Sequence, residues 1–444
     1  MKEKIIELLQ SKKFANLKEY LNEQNTSDLS SIFEDFDDES ILKLFRLLTK
    51  DNAAEVFTDM DSDLQMKLIN SLTDKELKDV LDELFTDDTV DLIEEMPSNV
   101  VKRILKSMPA NERKVINEFL NYPENSAGSI MTNEFVDLKE NMTVKQAFEK
   151  IRKVGVDKET IYNCYVLDSR RKLIGLVSVR DLLLNDNDTV IKDIMETNII
   201  SANTLEDEEE VSKRLVKYGF LALPVVDNEN RLVGIITVDD AVEVIEDENT
   251  EDFVKMAAMN PSEDSYFKTS IFKHAKNRIM WLLILMISST ITGMIITNYE
   301  NAFAAIPLLV AFIPMLMGTG GNCGSQASTL VIRGLAMDEI KLKDYFKVLF
   351  KEIRIALSVG ITLAIIIGLG IFLIYKNTQI AAIVGITLIC TVTLSKTLGC
   401  TLPMIAKKLK LDPAIMAAPL ISTIVDTCSV LIYFNIAMIF ISNI

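Results

Sequence analysis

Five long apolar segments constrain the fold of this chain more than any other feature of its sequence. All of them follow residue 272, and each is close to or above the roughly 20 residues that a helix needs to cross the hydrocarbon core of a bilayer. They are Ile279–Tyr299, Asn301–Ile332, Ile355–Tyr375, Asn377–Ala406 and Pro413–Ile444. The sequence therefore predicts a five-helix transmembrane pore domain at residues 273–444, surrounded by the lipid bilayer.

Net charge divides the chain at the same place. Residues 273–444 contain 14 basic and 7 acidic residues, whereas residues 1–272 contain 33 basic and 57 acidic ones. A portion with a net charge of −24 repels nucleic acid and attracts divalent cations, so we exclude nucleic acid as a partner. The five cysteines include no CxxC pair, and we interpret them as packing residues.

The loops between the apolar segments predict the orientation of the chain in the membrane. Lysines and arginines precede the first segment and fill the loops after the second and the fourth, whereas the loops around Glu300 and Lys376 carry almost no charge. The positive-inside rule then places the N-terminus in the cytoplasm and the C-terminus outside. We expect a multi-pass protein of the cell membrane.

Two different soluble regions precede the membrane segments. Residues 1–122 carry apolar residues at helical spacing, interrupted by capping signals such as Thr73-Asp74 and Met96-Pro97-Ser98. This pattern predicts an acidic N-domain of short helices stacked into a superhelix. Further along, RKLIGLVSVRDLL at 171–183 recurs as RLVGIITVDDAV at 231–242. Two such copies indicate one paired α/β module.

The repeat resembles a tandem CBS domain pair, which gives a fold class for the whole chain. We expect a multi-domain α plus α/β membrane protein: an all-α superhelical N-domain, tandem CBS α/β domains, a connecting helix and five transmembrane helices. The corresponding boundaries are 1–122, 128–188, 189–246, 247–272 and 273–444.

Asp426 is the only charged residue between Pro413 and Ile444. A carboxylate at mid-membrane costs about 2.5 to 3.5 kcal/mol on the lenient insertion scale, and such residues normally mark an ion path. On a helix, small and hydroxylic residues share its face, which predicts a pore lining; they are Pro419, Ser422, Thr423, Ser429 and Tyr433. The alternative, that Asp426 pairs with a buried base or caps a broken helix, stays open.

A second unusual patch lies in the second apolar segment, where GTGGNCGSQ occupies residues 318–326. Glycines at this depth indicate close helix packing in one interpretation. In the other, which we favour, a loosened backbone lines a water-filled cavity and turns its carbonyl groups towards an ion. The amide and hydroxyl side chains of Asn322, Ser325 and Gln326 fit that second interpretation.

The ligand types select the ion. Oxygen donors without histidine or thiolate pairs disfavour zinc, copper and nickel. Mg²⁺ keeps most of its water and needs only one or two carboxylates, whereas Ca²⁺ takes six to eight oxygens. Two chains related by a two-fold axis would each contribute Asp426, and the pair would neutralise one divalent ion.

Taken together, the acidic N-domain, the CBS pair, GTGGNCGSQ and PLISTIVD resemble the MgtE family of magnesium channels over the full length. The resemblance implies a homodimer with Mg²⁺ bound by Asp426 in the pore and by backbone oxygens of Ser422 and Gly321. Asn322 and Ser325 complete the candidate pore residues. The chain departs from the family where Ser325 and Ala418 replace an Asn that members can carry. Lys396, a base within the fourth segment, has no explanation from sequence.

The resemblance also implies regulation. Acidic residues of the soluble regions and the connecting helix would bind cytoplasmic Mg²⁺ and hold the connecting helices over a closed pore. The candidates are Glu55, Asp87, Asp91, Asp207, Glu209, Asp240, Glu243, Glu248, Glu251 and Asp252. Gly219 stands where the family can have an Asp.

Adenine nucleotide is a further partner that the resemblance suggests. Arg180, Asp181, Phe220 and Pro224 match the ATP pocket of the family, with Asp181 placed to accept hydrogen bonds from ribose hydroxyls. Asn163 stands where an aromatic side chain would stack on the base, so the sequence leaves ATP binding open.

Two other functions compete with a channel. A secondary transporter of Mn²⁺ or Co²⁺, driven by Na⁺ or H⁺, is disfavoured because the sequence shows one intramembrane acid and no chain of titratable residues. A membrane-anchored nucleotide sensor that transports nothing is the other alternative. An enzyme is not expected, because the chain has no Walker loop and no Ser/His or Cys/His pairing.

Overall fold

The structure is a computed structural model that describes residues 1–262, 266, 269–299, 307–416 and 418–441. The start of the second apolar segment, the end of the fifth and part of the predicted connecting helix therefore lie outside the described residues. The chain divides into two units, Met1–Glu246 and Asp247–Ile444. Each unit is described by itself.

Ten short helices fill the N-terminal region, as the capping signals predict. Asp61 and Thr73, for example, accept hydrogen bonds from backbone N–H groups in the first turn of the helix that follows each of them. Alternate helices contact one another, so their apolar stripes form a continuous core around Phe33, Phe57 and Ile69. The helices are α1 (Lys2–Gln10), α2 (Phe14–Asn22), α3 (Thr26–Phe33), α4 (Asp38–Phe45), α5 (Lys50–Thr58), α6 (Ser62–Ser71), α7 (Asp74–Leu81), α8 (Thr86–Glu95), α9 (Ser98–Ser107) and α10 (Ala110–Phe119).

The internal repeat forms two three-stranded sheets of identical topology, which confirms the predicted CBS pair. In each sheet the middle strand pairs in parallel with the first strand and antiparallel with the third. The first copy contains β1 (Val136–Lys139), α11 (Val144–Val154), β2 (Asn163–Leu167), β3 (Leu173–Ser178), α12 (Val179–Leu184) and α13 (Ile191–Ile194). The second contains β4 (Ala202–Asn203), α14 (Glu208–Tyr218), β5 (Ala222–Val226), β6 (Leu232–Thr237) and α15 (Val238–Met256).

The two copies share a hydrophobic core, which explains why a single copy would not suffice. Phe135, Tyr165 and Leu173 of the first copy pack with Ala222 and Ile235 of the second. Both copies contribute buried aliphatic and aromatic side chains that a lone sheet would expose. The last helix of the pair, α15, continues from the second repeat to Met256 without a break.

The second unit contains five helices long and apolar enough to cross a membrane, counted over the residues that the structure describes. This confirms the predicted number of spans. The helices are α16 (Ile271–Asn298), α17 (Ile313–Ala336), α18 (Tyr345–Tyr375), α19 (Thr378–Lys408) and α20 (Ala418–Ile441). Short 3-10 turns at Pro307–Phe312, Leu342–Asp344 and Pro413–Met416 precede α17, α18 and α20.

Candidate ion sites

The glycine patch lies on one uninterrupted helix, so the predicted loosening of the backbone is wrong. α17 is helical from Ile313 to Ala336 and packs against α19 and α20. Three glycines of the patch, Gly320, Gly321 and Gly324, lie in close contact with those helices. A methyl group on Gly320 would lie 2.8 Å from Val425 Cγ1, and one on Gly324 would lie 2.6 Å from Ile421 Cγ2. Each turn of α17 keeps its own helical hydrogen bonds, so the glycines serve close helix packing and not a loosened backbone.

Three of the five predicted pore residues come together where α17 crosses α20. The Ser325 hydroxyl donates a hydrogen bond to the Gly321 carbonyl oxygen at 2.9 Å. On the other side of Gly321, an added methyl group would lie 3.0 Å from Ser422 Oγ. Gly321 and Ser422 are thus in close contact between the two helices, and the Ser325–Gly321 hydrogen bond lies beside them on α17.

Asp426 lies one turn after Ser422 and is half-buried. Its carboxylate forms no hydrogen bond and no ion pair with any residue that the structure describes, so the alternative of a buried basic partner is not realised here. Lys396, the base within the fourth segment, pairs with a different acid. Likewise, among the described residues no three His, Cys, Asp or Glu side chains are grouped closely enough to hold a metal ion within one chain.

The predicted pore-lining stripe on α20 is only partly correct. Ser429 and Tyr433 are fully buried inside the helix bundle, and the Tyr433 hydroxyl donates to the Leu309 carbonyl oxygen at 2.9 Å. These two residues face inwards because α20 packs on α17 along that side; a methyl group on Gly320 would lie 3.0 Å from Ser429 Oγ. Pro419, Ser422 and Thr423 remain half-buried beside Asp426.

The side of α17 that does not pack against α20 presents an exposed polar face at membrane depth. Asn322, Gln326 and Thr329 recur at three- and four-residue spacing and are exposed, as is Leu330. Together with Ser325 and Lys396 they line an open cleft with a volume of about 620 Å³. Asn322 therefore lies on a different side of α17 from Gly321, which is buried against Ser422.

Lys396 belongs to a buried ion pair that the sequence analysis missed. Its Nζ lies 3.9 Å from Glu352 Oε2 on α18, and both side chains are less than a tenth exposed. The distance is too long for a hydrogen bond, and Glu352 Oε2 has no donor in the described part of the chain. The membrane domain thus holds a second buried acid, and the expectation of one intramembrane acid was wrong. Glu352 precedes the apolar run at Ile355 and has Lys351 and Arg354 beside it, which makes it look like part of a loop.

In the first unit, α8 and the start of α15 bring four of the predicted regulatory acids near enough for electrostatic repulsion, although not into a group that could hold a metal ion within the described residues: Asp87, Asp91, Asp240 and Glu243. Loss of water on burial, followed by repulsion from Asp240, raises the pKa of Asp87 well above its usual range. The same two causes raise the pKa of Asp91 to about 7.

Three further acids join this cluster without having been predicted. They are Asp88, Asp239 and Glu159, and the last lies between α11 and β2, where no motif marks it. Burial, with repulsion from Asp240 and Asp88, raises the pKa of Glu159 to about 8. Burial and Asp240 raise that of Asp88 to about 6. Glu159 Oε2 is buried and has no hydrogen-bond donor within the described ranges.

Other predicted regulatory residues lie elsewhere with different partners. Glu55 accepts a hydrogen bond from Thr26 Oγ1 at 3.0 Å, and Asp207 caps α14 by accepting from the Glu210 N–H. Glu209 forms an ion pair with Lys213.

The remaining regulatory candidates, Glu248, Glu251 and Asp252, belong to the second unit. There the Glu251 carboxylate lies 2.6 Å from Lys255 Nζ, which also contacts Asp412 at 2.8 Å.

The predicted nucleotide residues lie in both copies of the CBS pair: Arg180 and Asp181 in the first turn of α12, Phe220 between α14 and β5, and Pro224 within β5. Asp181 forms a capping box with Ser178, whose hydroxyl donates to the carboxylate at 2.6 Å. Phe220 stacks on Tyr218 with ring centroids 5.5 Å apart. Arg180 is exposed at the start of α12, and Pro224 is buried in β5.

Comparison with known proteins matches each part of this architecture. Residues 313–436 match the MgtE divalent cation transporter family, residues 24–125 the MgtE intracellular N domain, and residues 127–187 and 191–247 the CBS domain. The magnesium transporter MgtE of Bacillus subtilis is 38% identical over 339 residues, which cover 76% of this chain and 75% of that protein. That of Thermus thermophilus is 35% identical over 336 residues, 76% and 74% of the two chains.

A solved structure agrees with the soluble half. The cytosolic domain of the Mg²⁺ channel MgtE in complex with ATP is 33% identical, with a TM-score of 0.53, and covers 55% of this chain and all of that one. Fold and matches define a multi-pass membrane protein that transports divalent cations and carries a CBS pair. The chain belongs to the MgtE family, a family of transporters and not of enzymes.

Proposed function

We propose that this chain is a Mg²⁺-selective channel that works as a homodimer, with Asp426 of each subunit holding the ion in the pore. The observation that carries the proposal is the state of Asp426: a half-buried carboxylate at membrane depth, without a partner among the described residues, one turn from the Gly321–Ser422 contact. An unpaired charge in this position is costly unless a cation neutralises it. The relatives' names support magnesium as that cation.

The donor set fits a hydrated Mg²⁺ ion. One carboxylate and neighbouring hydroxyl and carbonyl oxygens would hold the ion through its own water shell. Each chain offers one Asp426, and no group of three acidic, histidine or cysteine side chains forms within the described part of one chain. Two copies about a two-fold axis would supply two carboxylates for one divalent charge.

The exposed face of α17 supports both the dimer and the pore. Asn322, Gln326 and Thr329 cannot find hydrogen-bonding partners in lipid, and each unsatisfied polar group there costs several kcal/mol. Either a second copy or a water-filled path must cover this face. A dimer with an aqueous path along α17 provides both, and it gives Asn322 and Ser325 access to a passing ion.

Regulation by cytoplasmic Mg²⁺ would act through the acidic cluster. Asp87, Asp91 and Asp240 repel one another in the absence of a cation, and bound Mg²⁺ would remove that repulsion. Shifting a gate from 1:99 to 99:1 needs about 5.5 kcal/mol. One site occupied at tenfold its dissociation constant supplies about 1.4 kcal/mol, so roughly four weak sites suffice. Glu248, Glu251 and Asp252 on α15 are the candidates for sites at the connecting helix.

Nucleotide binding is a second proposed property of the soluble half. ATP is bound in the solved relative, and in this chain Arg180 and Asp181 would contact its phosphates and ribose. With the N-terminus in the cytoplasm, as the loop charges indicate, ATP and Mg²⁺ would reach the same domains.

The test is Mg²⁺ uptake by wild type and by Asp426→Asn, measured as growth rescue of a strain that lacks Mg²⁺ uptake and as dye-reported influx into proteoliposomes. We expect the variant to reach the membrane in equal amounts and to lose most uptake, because an amide cannot neutralise the ion. Thr427→Ala, one position away, is the matched control and should retain uptake. Equal rescue by Asp426→Asn would overturn the site.

A further inference from the structure

The contact between α18 and α19 is largely apolar, apart from one charged side chain from each helix and the hydroxyl pair of Tyr345 and Thr401 at 3.3 Å. On α18, the inward face runs through Val348 and Leu349, then Glu352, then Ala356 and Val359. The spacing of three and four residues puts them all on one side of the helix. Glu352 therefore occupies a position that its neighbours fill with aliphatic groups.

α19 has the same arrangement on the side that faces α18, where one charged residue stands in a row of apolar ones. Val392, Lys396, Cys400 and Met404 follow at intervals of four residues, and all four are buried. The apolar members belong to the two small clusters that also contain the α18 residues. Lys396 and Glu352 thus face each other across a seam that is otherwise packed largely with apolar side chains.

Packing does not explain this pair. Removing two charges from water costs several kcal/mol per ion, and aliphatic replacements of similar volume are often as stable or more so. At 3.9 Å the pair gains no direct hydrogen bond, and Glu352 Oε2 has no other donor within the described part of the chain. A buried ionisable pair at membrane depth indicates a functional role.

The two members of the pair have different surroundings. Lys396 lines the polar cleft together with Asn322, Ser325 and Gln326, whereas Glu352 is not among the lining residues. Lys396 therefore borders the cleft, whereas Glu352 does not. A methyl group on Gly324 would meet both Ser395 on α19 and Val425 on α20, which puts Lys396 and Asp426 within about one turn of each other along α17.

We propose that Lys396 is a fixed positive charge beside the ion path, and that Glu352 is the positioning residue that holds this charge and neutralises it. The pair then sets the rate at which a divalent cation passes between Asp426 and the end of the membrane domain where α18 begins. The inference rests on the proposed channel function, since it needs an ion in the cleft.

Direct ligation by Lys396 is ruled out by its chemistry. An ammonium group only donates hydrogen bonds, and a hydrated Mg²⁺ ion also presents donors outwards, so the two can only repel. One uncompensated charge roughly 10 Å from a divalent ion, acting through water, changes the occupancy of the cleft about fourfold. Glu352 cancels this effect in the wild type.

The experiment compares dye-reported Mg²⁺ influx into proteoliposomes for four proteins: wild type, Glu352→Gln, Lys396→Met and the double variant. We expect Glu352→Gln to lower the initial rate about fourfold, by the charge argument above. Lys396→Met should be at or above wild type, and the double variant should return to within about twofold of wild type. High salt should reduce the deficit of Glu352→Gln, because the charge of Lys396 acts on the ion through the water of the cleft, where salt screens it.

A purely structural role gives a different pattern. Lys396→Met and Glu352→Gln would then both lower influx together with the melting temperature in detergent, with no recovery in the double variant and no effect of salt; that result overturns the inference. If Glu352→Gln does not insert, the comparison of Lys396→Arg with Lys396→Met decides. The inference requires that Lys396→Arg keep the wild-type influx rate and that Lys396→Met not fall below that rate.

A parallel Asp426→Ala sample separates this inference from the proposed function. If Asp426→Ala transports normally, the pore assignment is wrong. If Asp426→Ala is inactive but the Glu352 and Lys396 variants do not show the expected influx rates, only the inference about Lys396 and Glu352 is wrong.

Discussion

Binding of Mg²⁺ to the acidic cluster of the first unit should release protons. At pH 7, a carboxyl group with a pKa of about 8, such as Glu159, is about nine-tenths protonated, and Asp88, with a pKa of about 6, about one-tenth. Asp91, with a pKa of about 7, adds up to half a proton. A bound divalent ion stabilises the ionised forms, so these three groups should release about 1 to 1.5 protons, to which Asp87, whose pKa is also raised well above its usual range, adds.

Isothermal titration calorimetry in two buffers of different ionisation enthalpy measures this number directly. Residues 1–262 are a suitable sample, because the matched cytosolic domain of a relative has been solved on its own. Linkage makes the apparent Mg²⁺ dissociation constant fall about 10- to 30-fold between pH 6.5 and pH 7.5. Glu159→Gln should reduce the number of protons released per bound Mg²⁺ by about 0.9. The control Glu118→Gln changes an exposed ion pair and should leave that number unchanged.

The same shifts give the sign of the stability change with pH. Carboxyl groups whose pKa is raised on folding bind more protons in the folded state, so without Mg²⁺ the free energy of unfolding falls as pH rises from about 4 to about 8. Added Mg²⁺ should remove this fall. Proton release below about 0.3, or stability that rises over this range without Mg²⁺, would refute the reasoning.

Three further outcomes follow from single contacts. Asp426→Asn should lower Mg²⁺ influx at least tenfold at unchanged expression, and equal influx would contradict the pore assignment. Gly320→Ala should lower the melting temperature by the equivalent of about 1 to 3 kcal/mol, because its methyl group meets Val425, while Gly318→Ala has open space and should be neutral. Asp181→Ala should weaken the start of α12 by about 1 kcal/mol and reduce ATP binding measured by calorimetry; retained ATP affinity would remove Asp181 from the nucleotide site.

The structural features that depend on composition and on the spacing of apolar residues were predicted correctly from the sequence. The five membrane helices followed from apolar length, and the two sheets followed from a repeated sequence motif. The short N-terminal helices followed from capping residues such as Thr73, whose hydrogen bonds are local. Each of these properties is set within about twenty residues, so tertiary packing had little scope to change it.

Features that depend on neighbours could not be predicted. A glycine in a membrane segment suits both a loosened backbone and close packing, and only the approach of Val425 and Ile421 decides for Gly320 and Gly324. Ser429 and Asp426 lie on one helical face, yet packing on α17 buries the first and leaves the second partly open.

Charges that meet across helices were equally hidden. Lys396 and Glu352 are 44 positions apart in the sequence, and neither has a motif around it. Glu159 is recognisable only once α8 and α15 bring acids towards it. Separation along the chain therefore limited the site assignments more than residue type did.

The recording of single channels in planar bilayers, with Mg²⁺ as the only permeant cation, tests the central claim most directly. Wild type should show unitary current steps that internal Mg²⁺ suppresses, and Asp426→Asn at equal dimer content should show none. Unitary steps of unchanged size in Asp426→Asn, or Mg²⁺ flux by the wild type without any unitary steps, would contradict the account.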